Sequence, residues 1–251
     1  MIGPHTFRVT NNVWCVTRRS YFTNSYFVAT TSGLVAIDAG MKSSGGDMLA
    51  ALKEIGRVPA DIRAILVTHW HNDHAAGAAE LAESTQAPVY YHATEAPHLT
   101  RVKAFAGMRG AISALVPETG PLVLIKGLLG NAPQRAVTAT TFIADGETVA
   151  EEFLVLETPG HTAGHVSYYH EPTRTLFAGD ALAVIGKRLR FMARPVTENM
   201  AAARRSMQRC LDRPIDFVCP GHREPLMVDV AKEVRRFRQL LASNAPWPIF
   251  G

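Results

Sequence analysis

Nowhere in the 251 residues is there an uninterrupted apolar run of the ~18 residues that a membrane-spanning helix needs. The start, Met1-Ile2-Gly3-Pro4-His5-Thr6, has no basic segment followed by an apolar stretch, so no secretory leader is expected. Cysteine is scarce. Cys15, Cys210 and Cys219 are odd in number and far apart, which argues against a disulfide framework and predicts reduced thiols in the cytoplasm. Excess charge is small as well. A net charge of +4, with no long basic arm and no basic patch interleaved with aromatics, argues against a nucleic-acid partner. What remains is 47% hydrophobic and 19% charged, a composition that predicts a sizeable buried core. At this length the chain suits one domain over residues 1–251, or two intimately packed halves.

Against these absences stands one dense cluster. Thr68-His69-Trp70-His71-Asn72-Asp73-His74 puts three imidazoles and a carboxylate within six consecutive positions. A buried core would have to satisfy every one of those nitrogens, whereas a divalent metal needs them directly, and zinc takes both imidazole nitrogen and carboxylate oxygen. The apolar run Ala64-Ile65-Leu66-Val67 reads as a strand delivering the cluster at its C-terminal end, and Ala75–Glu83 reads as a helix. Open α/β sheets bind their ligands at such strand-to-helix loops.

The same design recurs along the chain. Phe153-Leu154-Val155-Leu156 leads to Thr158-Pro159-Gly160-His161, Thr175–Phe177 leads to Gly179-Asp180, and Phe217-Val218 leads to Gly221-His222. Each is a short strand, then small or turn-forming residues, then a metal-competent side chain.

This set of motifs resembles the metallo-β-lactamase fold superfamily, including its glyoxalase II-like and lactonase-like hydrolases, from about Asp38 to His222. The resemblance implies an α/β chain folded as a four-layer αββα sandwich. It also implies one metal held by His69, His71 and His161, a second held by Asp73, His74 and His222, and Asp180 bridging the two. Asp38, in Val35-Ala36-Ile37-Asp38-Ala39-Gly40, matches an acid behind the ligands that fixes an imidazole tautomer. Two zinc ions are the implied cofactor, with iron or manganese as the alternative occupants. The implied reaction is hydrolysis of an ester-like bond, thioester or lactone ahead of β-lactam, by a metal-activated hydroxide that Asp73 orients.

Discrimination within the family runs through absences again. The bridging position is Asp180 and not the cysteine of some zinc β-lactamases. Ala181-Leu182-Ala183-Val184 carries no tyrosine where homoserine-lactone lactonases have one, and only about one helix's length follows His222, too little for the glutathione-binding region of glyoxalase II. A class B3-like β-lactamase and a mononuclear iron persulfide dioxygenase, which would use His69 or His71 with His161 and Asp180, are the alternatives.

Two further features concern substrate. Lys187 and Arg188, with Arg190 and Arg194, follow Asp180 closely. They are either binding groups for a small anionic substrate or an ordinary half-exposed strand. The apolar stretch at about 96–130 is either a connection packed on the core or at a homodimer contact, or a cap over the metal mouth. His165 is expected to hydrogen-bond backbone or ligands, while His5, His92, His98 and His170 have no supporting pattern.

Overall fold

A computed structural model describes residues 4–41, 45–101, 135–243 and 246–249. The stretch at 96–130 therefore lies, from residue 102 onward, outside the described residues. The chain divides into two compact units: residues 1–90 with 96–141, and residues 91–95 with 142–251. The division runs through strands β6 (Val89–His92) and β7 (Thr140–Ile143).

The first unit is built on a sheet in which β1 (His5–Arg8), β2 (Val13–Arg18), β3 (Thr23–Ala29), β4 (Leu34–Ile37), β5 (Ile62–Leu66), β6 and β7 lie in chain order. The first four strands form an antiparallel meander, and β4, β5 and β6 run parallel. Parallel strands need crossovers. These are supplied by α1 (Gly46–Glu54) between β4 and β5, and by the helices after β5. Every side chain of β4 is buried, as are Ala64, Ile65 and Leu66, which explains why these strands read as continuous apolar runs without alternation. Because β4 and β5 are parallel, residues 38 and 68 emerge at the same edge.

Where the sequence predicts one helix over Ala75–Glu83, there are two: α2 (Asn72–Ala75) and α3 (Ala78–Thr85). The Gly77 amide donates to the Gly40 carbonyl at 3.2 Å instead of back along its own helix, which interrupts the ladder there. The helix also begins earlier than expected, so Asn72, Asp73 and His74 sit on a helical turn. A further short helix, α4 (Ala96–Leu99), follows β6.

The second unit carries a five-stranded sheet in the order β14 (Phe217–Pro220), β11 (Thr175–Gly179), β10 (Val166–His170), β9 (Phe153–Glu157) and β8 (Thr148–Val149). β9 and β11 are both antiparallel to β10, and β14 is parallel to β11. The C-terminal ends of β9, β11 and β14 therefore share one edge. Two helices, α5 (Met200–Cys210) and α6 (Val230–Ala242), contribute Met207, Val234 and Phe237 to a core with Leu156, Leu176 and Val218. Asn199 starts α5 by accepting the Ala202 amide at 3.0 Å, a capping bond worth ~1 kcal/mol. β12 (Ala183–Ile185) and β13 (Arg188–Arg190) form a separate hairpin. Its two-residue loop, Gly186-Lys187, has φ of 58° and 61°, as a type I′ turn requires.

All three cysteines are buried with free thiols. Burial pushes the Cys210 thiol up to about 11 and raises that of Cys15 well above the usual thiol range. A thiol that stays protonated and inaccessible reacts slowly. Titration with a chromogenic disulfide reagent is expected to modify no cysteine in the native protein within minutes and all three after unfolding. Rapid native labelling would contradict the packing around Cys15 and Cys210.

Candidate metal centre

The first unit gathers His69, His71, Asp73 and His74 at the end of β5. Asp38 organises them from behind. It lies just past β4 with φ 58°, a left-handed conformation that aspartate tolerates better than most residues, and is 2% exposed. Its Oδ1 accepts the Thr68 amide at 2.8 Å and its Oδ2 faces His74 Nδ1 at 2.9 Å. The Thr68 hydroxyl also donates to this carboxylate, at 3.0 Å.

These contacts fix two tautomers. His74 must carry its proton on Nδ1 to bond Asp38, which leaves the Nε2 lone pair for a ligand role. The hydroxyl proton of Thr68 is committed to Asp38, so Thr68 Oγ1 accepts from His69 Nδ1 at 3.0 Å, and His69 likewise keeps its Nε2 lone pair. One buried carboxylate thus orients two imidazoles, one of them through a threonine. The sequence expects Asp38 to fix an imidazole tautomer, and these distances are compatible with that part.

The outward-facing donor atoms fall into two pairs. His69 Nε2 and His71 Nδ1 are 3.1 Å apart, and His74 Nε2 and Asp73 Oδ2 are 3.7 Å apart. Two ligands of one tetrahedral zinc, with bonds of 2.0–2.1 Å, are separated by about 3.3 Å. The two separations bracket that spacing, so the residues present fit a divalent metal. His69 and His74 are fully buried, while the Asp73 side chain is 23% exposed and faces the Thr23 hydroxyl at 3.4 Å. A small cleft lined by Arg18, Thr23, Ser25, Gly40 and Asp47 opens beside it.

The second unit gathers the remaining three candidates at its own sheet edge. His161 follows β9, Asp180 follows β11 and His222 follows β14. Asp180 Oδ2 lies 3.3 Å from His161 Nε2 and 3.4 Å from His222 Nε2. Charge-assisted hydrogen bonds are shorter, about 2.7–2.9 Å. A single carboxylate oxygen at these equal, longer distances from two imidazoles has the spacing of a ligand shared between two metal positions. The Gly221 amide donates to the Gly179 carbonyl at 2.8 Å, which ties the Asp180 and His222 turns together. All seven residues belong to groups whose donor atoms could hold a metal ion.

The structure adds an acid that the sequence did not single out. Glu95 is 2% exposed and accepts both the Thr162 hydroxyl at 3.1 Å and the Gly164 amide at 2.8 Å, on the loop carrying His161. Nothing local in Ala93-Thr94-Glu95-Ala96 marks a buried acid, because its partners lie far downstream. His165 accepts the backbone amide of Asp180 at 2.9 Å. The histidines without a pattern have other surroundings: His98 stacks on Trp70 at 4.3 Å, His92 lies 3.2 Å from Glu157, and His170 is 2.7 Å from both Glu152 and Thr173. Lys187 and Arg188 lie at the tip of the β12–β13 hairpin, both exposed, with Arg188 Nε 3.6 Å from Glu233 on α6.

Comparison with known proteins agrees with this chemistry. Residues 18–222 match the model of the metallo-beta-lactamase superfamily. The probable metallo-hydrolase YflN of Bacillus subtilis is 31% identical over 171 residues, covering 64% of this chain and 61% of that protein. A hydroxyacylglutathione hydrolase of Bdellovibrio bacteriovorus is 29% identical over 169 residues, 65% of this chain and 50% of that one. The match thus spans between half and two thirds of these relatives' length. Among solved structures, a metallo-beta-lactamase of Cronobacter sakazakii superimposes with a TM-score of 0.65 over 96% of this chain and 93% of that one, at 21% identity. The α/β fold implied by the sequence is therefore the fold of the chain. A model match over most of the length, reaching from the second strand to the last histidine, settles the relationship: the chain belongs to the metallo-beta-lactamase superfamily.

Proposed function

We propose that the two donor sets close around a pair of zinc ions and that the protein hydrolyses an ester-like bond, a thioester or a lactone, in the cytoplasm. The observation that carries this reading is the Asp180 oxygen placed 3.3 and 3.4 Å from the imidazoles of His161 and His222. On this reading His69, His71 and His161 hold one cation and Asp73, His74 and His222 the other, with Asp180 common to both. When bound, the cations lower the pKa of water towards neutrality and polarise the scissile carbonyl.

The chain's own residues supply the rest. Asp73 accepts a hydrogen bond from the nucleophile and aims it, while the Thr23 hydroxyl steadies that carboxylate. Asp38 keeps His69 and His74 in the ligand tautomer. Lys187 and Arg188 offer positive charge to a small anionic substrate, Lys187 having the freer side chain because Arg188 lies beside Glu233. The hydroxyacylglutathione hydrolase name of one relative supports a thioester as the first class to try. A mononuclear iron oxygenase would leave Asp73, His74 and His222 without a role.

The test pairs metal analysis of protein purified without added metal with a hydrolysis screen across thioesters, lactones, β-lactams and phosphodiesters. His71→Ala and Asp73→Ala are each expected to lower kcat/KM by on the order of 10³-fold or more on the best substrate, with an unchanged circular dichroism spectrum. Either variant keeping most of the activity overturns the assigned roles. One iron per chain with oxygen uptake on glutathione persulfide overturns the hydrolase.

A further inference from the structure

We infer that Glu95 and His165 are positioning residues that set the separation of His161 and Asp180, and so the grip of that donor set on a divalent cation. The inference rests on the metal reading above and extends it to two residues outside the seven candidate ligands.

His165 is fully buried, and its two ring nitrogens have fixed proton roles. A backbone amide can only donate, so the Asp180 N–H fixes His165 Nε2 as an acceptor, at 2.9 Å. The proton of the neutral ring then sits on Nδ1 and is donated to Thr158 Oγ1 at 2.7 Å. Thr158 in turn donates to Ser167 Oγ at 3.0 Å, and Ser167 donates to the Ala178 carbonyl at 3.0 Å. Every bond in this chain has a fixed direction. It starts on the backbone of Asp180, passes through both ends of the loop that carries His161, and returns to β11 two residues before Asp180.

That loop is closed on itself by the Thr158 amide donating to the His165 carbonyl at 2.9 Å. Its middle is held from elsewhere in the chain. Glu95 Oε1 takes the Thr162 hydroxyl, next to His161, and the Gly164 amide, next to His165. The fit is close: a Cβ on Gly164 would stand 2.6 Å from Glu95 Oε1 and 2.9 Å from its Cγ. Buried hydrogen-bonded groups of this kind often serve stability alone. Here both ends of the network terminate beside a metal-competent side chain, so a shift in either clamp moves His161 relative to Asp180.

Affinity separates the two roles. Full-length apo protein is titrated with zinc against a chromophoric chelator, well below each variant's unfolding temperature, and cobalt absorption reports the ligand geometry. Glu95→Ala and His165→Ala are expected to weaken zinc binding about 10–100-fold and to alter the cobalt spectrum. Glu95→Gln and His165→Gln, which keep an acceptor for the Gly164 and Asp180 amides, are expected to recover most of the affinity. Wild-type affinity in the alanine variants, whatever their unfolding temperature, overturns the inference. Should the alanine variants fail to fold, Thr162→Val removes the single bond beside His161. It is expected to weaken zinc several-fold, and unchanged binding overturns the inference equally. Failure of the wild-type chain to bind zinc at all would instead sink the metal reading itself.

Discussion

Replacing Asp180 with alanine is expected to cost the protein both metals and at least ~10³-fold in kcat/KM, or about 4 kcal/mol of transition-state stabilisation. The expectation follows from one oxygen having two imidazole neighbours at nearly equal distance. On the proposed reading, removing His222 would take away one ligand of one cation, whereas removing Asp180 would take away a ligand from each and the negative charge that lets two dications approach. Asp180 is 4% exposed and its backbone amide is bonded to His165, so the turn itself should persist in the variant. Metal content by mass spectrometry and steady-state kinetics read the result. Retention of one tightly held zinc with activity within tenfold of wild type would show that the carboxylate is not shared.

The second large effect is on stability. Gly160 has φ +143°, and a Cβ there would stand 2.5 Å from the N, Cα and Cβ of Ala203 on α5. Neither the backbone nor a buried helical alanine can yield without moving α5 or the His161 loop. The Asn199 amide also donates to the Gly160 carbonyl at 2.9 Å, and Ser206 Oγ donates to the Pro159 carbonyl at 2.7 Å, so the loop is fastened to that helix on both sides of the clash. Gly160→Ala is expected to destabilise the chain by roughly 3 kcal/mol or more. At this chain length that lowers Tm by on the order of 10 °C. Gly56 is the control. It also has positive φ, +71°, but an added Cβ meets nothing within 4 Å, so Gly56→Ala should cost only about 1 kcal/mol. Equal shifts for the two variants would mean that the contact with α5 is not what constrains Gly160.

The candidate ligands were legible in the sequence because the chemistry leaves little freedom. A metal demands particular atoms, and strands whose C-terminal ends share an edge present them in a fixed order: apolar run, small residue, ligand. His161, Asp180 and His222 each follow that order, and β9, β11 and β14 do end at one edge. Asp38 was legible for the same reason, being the acid at the end of an apolar strand parallel to the one that delivers the cluster.

What stayed hidden depends on contacts between residues far apart in the chain. Glu95 looks like an acid at the exposed start of a helix, and only the return of residues 162–164 makes it a buried acceptor. The division of the helix after the cluster came from the Gly40 carbonyl, again a tertiary partner. Strands β1, β8, β12 and β13, of two to four residues, are too short for a hydrophobic period to register.

The proposed chemistry requires that the seven side chains hold a pair of cations. The most direct measurement is zinc stoichiometry of the folded chain, by mass spectrometry under native conditions, for wild type and His222→Ala. Two zinc ions are expected per wild-type chain and one in the variant, with His69, His71 and His161 still occupied. A wild-type chain that holds a single metal, unchanged by loss of His222, would contradict it.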